Sequence, residues 1–430
     1  MPTNTRRSGG GLLRHGGVTW LPLCLLACWI SLAHAEPRVG ALPSPLRVED
    51  ITRIARASRA EIVAARARTR AAAERPRIVS ALEDPMLAAS IDHLPFGMPG
   101  VDGSLTIEQR FPLGRTLGHR RRVAEFETVR LRAEASRVEL DVELEAVAAF
   151  LMLHERRQML TIIERQRMLA EQLITVANGR YAAASAAQAD VLRAETEMAR
   201  LDGEWRGVQA DVRAAEVMLN ASLGRAVDSA IPPLRSPARM SPPPSLAAVL
   251  GQALQHRPEL RAGRAEINRA GADVAVMDSM YAPMGMVRAG PAYTMAEGIG
   301  AMIMVGVSLP IWRERLDGGV AEAQAMAAMA RADLSAMRRM IEAEAATTRE
   351  QVAGWRERCL ALQGEVIPRA ERAIDPSLAA YAAGQAPLVA VIEAVQALWS
   401  AQAELVSAEF NLGMAWARLD RALGREGQTS

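Results

Sequence analysis

The chain has 430 residues, half of them hydrophobic but only 4% aromatic, with 51 basic against 49 acidic side chains. That length allows two or three ordinary domains, and a formal net charge of +2 gives no ground for expecting nucleic acid as a partner. Much of the apolar content is Ala interleaved with Arg and Glu, which favours long, closely packed helices over a bulky core and makes the Arg-rich stretches solvated faces.

Residues 1–35 read as an export signal. Arg6, Arg7 and Arg14 supply its positive region, Val18 to Leu32 its apolar region, and Ala33-His34-Ala35 a small-x-small cleavage site. Leu25-Leu26-Ala27-Cys28 offers a second reading, a lipoprotein box with Cys28 as the lipidated terminus. The apolar run Trp29 to Leu32 beyond it suits the later cut better. Cleavage after Ala35 leaves Cys359 as the single cysteine, so no intramolecular disulfide is expected. No later segment has the ~20 unbroken apolar residues of a membrane helix. An exported chain of that kind is either soluble in the periplasm or crosses the outer membrane as a β-barrel.

The rest of the chain repeats. Arg59-Ala-Glu-Ile and Arg66-Ala67 match Arg257-Pro-Glu-Leu and Arg264-Ala265 at an offset of 198. Pro85-Met86 with Pro283-Met284, and Phe111-Pro112-Leu113 with Leu309-Pro310-Ile311, keep that offset. Tyr181-Ala182-Ala183 with Tyr381-Ala382-Ala383, and Leu223-Gly224-Arg225 with Leu423-Gly424-Arg425, follow at 200. Ala-rich helices alone would match at many offsets, whereas these Pro, Tyr and Gly landmarks match at nearly one.

Two structural repeats are therefore expected, at 46–225 and 245–425, joined by a Pro-rich linker at 226–244 that cannot be helical. Each opens with a helix, at about 47–74 and 245–278. Two extended segments follow, at about 85–112 and 283–311. A very long helix comes next, at about 118–178 and 314–374, then a turn and a second long helix at about 186–223 and 388–423. A helix of about 60 residues is roughly 90 Å long and must pack along partners of similar reach, as a coiled-coil hairpin. Leu105, Ile107 and Phe111 alternate with Thr106, Glu108 and Arg110, a strand with one apolar and one polar face. Ala301 to Leu309 is apolar on both faces and Gly-rich. Strands of this length span a bilayer when tilted. Four strands cannot close, and an open sheet cannot sit in lipid; three chains would supply twelve.

Export signal, repeat and element order together resemble the TolC-type outer-membrane efflux protein family over roughly residues 46–425. His256-Arg257-Pro258-Glu259-Leu260, Val305 to Ile311, and Tyr381-Ala382-Ala383-Gly384 with Leu388 to Gln396 are similar to the family's own strings. Phe111-Pro112-Leu113-Gly114-Arg115 and the short interstrand loops look most like its heavy-metal efflux branch. The resemblance implies a mostly α fold with a membrane β-barrel: a homotrimer with a twelve-stranded barrel in outer-membrane lipid and a periplasmic α-barrel. It implies no enzyme and no cofactor, but a passive exit duct for an inner-membrane pump of the resistance–nodulation–division class, reached through a periplasmic adaptor. The alternatives are a type I protein or peptide secretion duct and a soluble periplasmic coiled-coil adaptor.

The family closes its duct at the hairpin tips. The matching positions here are Tyr181 and Tyr381 before the turns, Gly384 in the second turn, and Asp190 and Glu393 after the turns as acidic pore rings. Two departures stand out. Ala184 replaces the usual Gly of the first tip, where a left-handed residue is needed, and Pro376 is expected to break or kink the helix before the second tip. Met277, Met280, Met284, Met286, Met295, Met302 and Met304 crowd the second strand pair; thioethers suit Cu(I), but apolar filler facing lipid or core is the better reading. The histidines at 15, 34, 93, 119, 154 and 256 form no ligand set, and Cys359 reads as an ordinary helix residue.

Overall fold

A computed structural model of the chain describes residues 42–93, 101–236 and 239–425. The export signal and Cys28 lie outside the described residues. The first repeat runs α1 (Val48–Ser58), α2 (Ala60–Val79), β1 (Met86–His93), β2 (Asp102–Pro112), α3 (Thr116–Ala182) and α4 (Gln188–Ser222). The second runs α5 (Leu246–His256), α6 (Pro258–Ser279), β3 (Met284–Thr294), β4 (Gly298–Ser308), α7 (Arg313–Ala361), a π-helical turn (Leu362–Val366), α8 (Ile367–Ala382) and α9 (Leu388–Ala422).

The opening helix of each repeat is two helices, not the one expected. The break falls at Arg59 and at Arg257, both extended, with φ/ψ of −75°/126° and −58°/124°. These are the repeat-equivalent residues 198 apart. Pro258 accounts for the second break, since the residue before proline is driven out of the helical region. The first break has no proline.

Both breaks serve the same packing need. α3 has 67 residues, about 100 Å, but its hairpin partner α4 has only 35. α4 covers the part of α3 nearest the turn, through Arg167–Asp202 at 2.7 Å and Arg157–Glu216 at 2.7 Å. α2 covers the rest, through Arg66–Glu139 at 2.7 Å and a bond from the Thr128 hydroxyl to the Ala72 carbonyl at 3.0 Å. The end of α4 abuts the start of α2, where Ser58 and Arg59 donate to the carbonyls of Leu223 and Ser222 at 2.7 and 3.2 Å. Those are terminal carbonyls with no helical partner of their own. Arg59 also pairs with Glu61 at 2.7 Å and Glu145 at 3.0 Å. In the second repeat Arg257 donates to Arg421 O at 3.3 Å and pairs with Glu259 at 3.2 Å and Glu344 at 2.5 Å. There the end of α9 meets the start of α6. Each long helix is thus flanked by two shorter ones joined end to end.

The two repeats pack on one another through α3 and α9. Gly413 lies against Leu151, where an added Cβ would meet the Leu151 side chain at 2.8 Å. Arg421 reaches Asp141 of the first repeat at 2.8 Å and Glu259 of the second at 3.1 Å. α9 is long and apolar enough by length and composition to cross a membrane, although Glu393 and Gln396 interrupt its apolar run. Its apolar side chains instead fill cores: Leu412, Trp416 and Leu419 pack with Val249, Ile341 and Val352, and Val391, Val395 and Trp399 with Leu173 and Leu201. The linker is irregular and is held by its carbonyls, which accept from Arg157, Arg349, Arg356 and Trp416.

The expected break at Pro376 does not occur; α8 runs through it. Ile374, Leu378 and Tyr381 on either side belong to an apolar cluster with α9, and that packing holds the helix across the missing donor. The irregularity lies earlier, in the π turn, where Ile367 N–H bonds Leu362 O. A π turn takes one more residue than an α turn. The repeat offset grows from 198 to 200 across this helix, and the π turn absorbs one of the extra residues.

Each hairpin turn uses the same cap. Ala184 and Ser185 N–H bond the carbonyls of Tyr181 and Arg180 at 2.9 and 2.8 Å; Gly384 and Gln385 bond those of Tyr381 and Ala380, both at 2.9 Å. This pairing needs one left-handed residue, supplied by Gly384 at φ 77° and by Ala184 at φ 54°. The Ala therefore keeps the shape that its side chain disfavours, at a cost of about 1 kcal/mol.

The four strands form one antiparallel sheet in the order β1-β2-β3-β4. Its polarity is inverted. Leu105 and Ile107 of β2 are 48% and 57% exposed, while Ser104, Thr106 and Glu108 are buried. Ile107 aligns with Leu87 and Ala289, and Ala289 with Ile303. One face is therefore an open apolar surface that also carries Val287, Ile299, Val305 and Val307. The other carries the polar side chains of β2. Gly290 lets β3 approach β2 closely: an added Cβ would lie 2.0 Å from Leu105 O. Met86, Met284, Met286, Met302 and Met304 all fall by register on the face that carries Glu108 and Arg288, opposite the exposed apolar one.

Two substitutions test this packing. Arg257→Ala removes a guanidinium whose side chain is 4% exposed and leaves Glu259 and Glu344 with Arg421 as their remaining partner, so it is expected to lower stability by about 2 kcal/mol, seen as a drop in the unfolding midpoint. Ala184→Gly is expected to raise stability by about 0.5–1 kcal/mol without altering the fold; a fall in midpoint would show that the left-handed cap is not under strain.

Candidate functional site at the hairpin tips

The tips of the two hairpins lie side by side. Ala170 and Leu173 of α3, Ala194 and Leu201 of α4, Tyr381 of α8 and Leu388, Val391, Val395 and Trp399 of α9 form one buried cluster there. Three of the five expected residues meet at it. Tyr381 is 1% exposed. Its phenol is pushed up from the ordinary value, first by burial and then by the nearby Asp190 carboxylate, with Arg180 opposing. Asp190 sits half-buried in the first turn of α4. Gly384 forms the turn beside them, and a Cβ there would be 3.5 Å from Arg180 Nη2.

The other two do not join. Tyr181 is 48% exposed, and Glu393 is exposed in the second turn of α9. Asp190 and Glu393 are not equivalent positions either: the offset of 200 pairs Asp190 with Ala390, and Glu393 with Arg193. A trimer would place the two carboxylates at different depths.

Arg180 was not anticipated. It donates to Tyr381 O across the hairpins and to Ser185 O at 2.8 Å within its own turn. Its guanidinium also lies over the Tyr381 ring, 4.4 Å from the centroid, a favourable cation–π distance. One side chain thus ties the second tip to the first. The repeat holds the only sequence trace of this: Arg180 aligns with Ala380, so the position differs where the neighbouring tyrosines agree.

Elsewhere the chemistry is quiet. Burial, with the Glu409 carboxylate adding to it, pushes the Cys359 thiol up to about 11, so it is a protonated packing group rather than a nucleophile. Among the described residues no group of three or more His, Cys, Asp or Glu is placed to hold a metal ion.

The comparisons agree with this architecture. Residues 249–425 match the family model described as outer membrane efflux protein. The chain is 24% identical over 289 residues to the outer membrane efflux protein BepC of Brucella suis biovar 1 (strain 1330), a stretch covering 65% of this chain and 62% of that protein. The matched stretch is thus under two thirds of that relative's length. Among solved structures, the outer membrane protein VceC from Vibrio cholerae superposes with a TM-score of 0.75 at 18% identity, over 88% of this chain and 96% of that one. CusC, whose crystal structures concern folding and transmembrane channel formation, superposes with a TM-score of 0.77 at 14% identity, over 88% and 92%. The second repeat carries the match to the outer membrane efflux protein model, and the chain as a whole shares the fold of these solved channel structures.

Proposed function

We propose that the chain is one protomer of a trimeric efflux duct, a passive exit path for substrates handed over by an inner-membrane pump through a periplasmic adaptor. The observation that carries the reading is the inverted sheet. An exposed apolar face, an opposite face with the buried Ser104, Thr106 and Glu108, and edges at β1 and β4 unpaired among the described residues suit a barrel wall shared between chains and no free-standing sheet. The helices continue from it for about 100 Å, enough for a long periplasmic tunnel. Metal cations are the proposed cargo, on the resemblance of Phe111 to Arg115 to the heavy-metal branch. The hairpin tips would be the gate, with Arg180 holding the closed arrangement and Asp190 and Glu393 lining the entrance.

Single-channel recording of the purified protein in a planar bilayer tests this. The wild type is expected to give small, cation-selective conductance. Arg180→Ala removes the tie between the hairpins and is expected to raise the conductance or the open fraction. Asp190→Ala is expected to reduce cation selectivity, and Glu393→Ala to reduce it less, since that carboxylate is free to turn from the pore. A water-soluble, non-conducting species would refute the duct; a conducting trimer indifferent to all three changes would refute the gate.

A further inference from the structure

The face of the sheet opposite the apolar one carries a cluster of charged side chains. On β2 and β3 its charged side chains nearest the helical end are Glu108, Arg110 and Arg288. Arg288 Nε donates to Glu108 Oε2 at 2.9 Å, and Arg110 Nε to Oε1 at 2.8 Å. Each carboxylate oxygen therefore faces a guanidinium. The Glu108 side chain is 1% exposed, whereas those of Arg288 and Arg110 are 30% and 58% exposed. The acid lies underneath and the bases lie on top.

The other strand positions in register with them carry no charge. In register, Glu108 aligns with Met86 and Arg288, and Arg288 with Met304. Arg110 aligns with Met286, and Met286 with Gly306. The other described acid on this face, Asp102, is at the far end of β2, where it accepts the Met295 N–H at 2.7 Å. The cluster of Glu108, Arg110 and Arg288 thus carries one net positive charge per chain, with methionine and glycine at the paired strand positions.

We infer that Arg110 and Arg288 form a basic ring on the barrel lumen, at its helical end, which favours anions and disfavours the return of cations from outside. The inference rests on the duct reading. Three copies facing one lumen place like charges around a confined, partly low-dielectric path, where a field is felt more strongly than at an open surface. Glu108 is the positioning residue: held between two guanidiniums, it fixes them against the wall. An acidic entrance at the tips followed by a basic exit in the barrel would make the two ends of the duct unlike in ion preference.

The test is the reversal potential of the full-length trimer in a planar bilayer under a KCl gradient. Arg110→Gln is the main variant because its side chain is the more exposed and the less needed for folding. It is expected to raise the potassium-to-chloride permeability ratio about two-fold or more near 0.1 M salt, and to lose that effect near 1 M, where the Debye length is only about 3 Å. Glu108→Gln is expected to move the ratio the other way, because it leaves both guanidiniums uncompensated. It carries the test if the arginine variant fails to assemble. An unchanged ratio in conducting trimers of either variant overturns the inference while leaving the duct intact. Absence of any conductance from the wild type overturns the duct itself, and the ring with it.

Discussion

A helix of 67 residues exposes a stripe of side chains far longer than any single hairpin partner here can cover, and the architecture answers that one constraint. The end-to-end junctions at Arg59 and Arg257 let a 35-residue helix and a shorter one act as a single partner. Each junction places an arginine against the last carbonyls of one helix and the acidic first turn of the next. The favourable ends of two helix dipoles meet there, and the side chain satisfies groups that would otherwise be orphaned. That Arg257 is almost fully buried while Arg59 keeps some exposure makes the second junction the more sensitive of the two.

The sheet follows a different rule. Its four strands place apolar residues on the outside and polar ones within, the reverse of a sheet that covers a water-soluble core. The second face buries Ser104, Thr106 and Glu108, and Gly290 lets β3 approach β2 closely. Both outer edges are left without partners among the described residues. In lipid a sheet of this kind would need its edges paired.

Much of this was legible in the sequence because its cues are periodic or covalent. The alternation in β2 announced a two-faced strand, and the repeat of Pro, Tyr and Gly landmarks gave the order of elements in both halves. The junctions were harder to see. Arg257 had Pro258 to mark it, but Arg59 is followed by Ala and breaks the helix through contacts with residues 86 and 163 positions away. Pro376 was a strong local signal overruled by packing against α9, and Ala184 a weak turn residue held in place by its neighbours' hydrogen bonds. At the tips, Tyr381, Asp190 and Gly384 lie together, whereas Tyr181 and Glu393 are exposed on the single chain. Arg180 was invisible because its role depends on a carbonyl 201 residues away, which no local spacing encodes.

The central claim is that three copies close one barrel, and cysteine pairs placed across the open edges address it most directly. Ala89 of β1 and Ile303, Val305 or Val307 of β4 lie at opposite edges of the sheet, so a disulfide between them can form only between chains that meet edge to edge. Oxidation of one of these double-cysteine variants in membranes should give a ladder that ends at three chains on a non-reducing gel. A protein that stays monomeric for every pair, or a ladder that continues well beyond three, would contradict the closed twelve-stranded barrel.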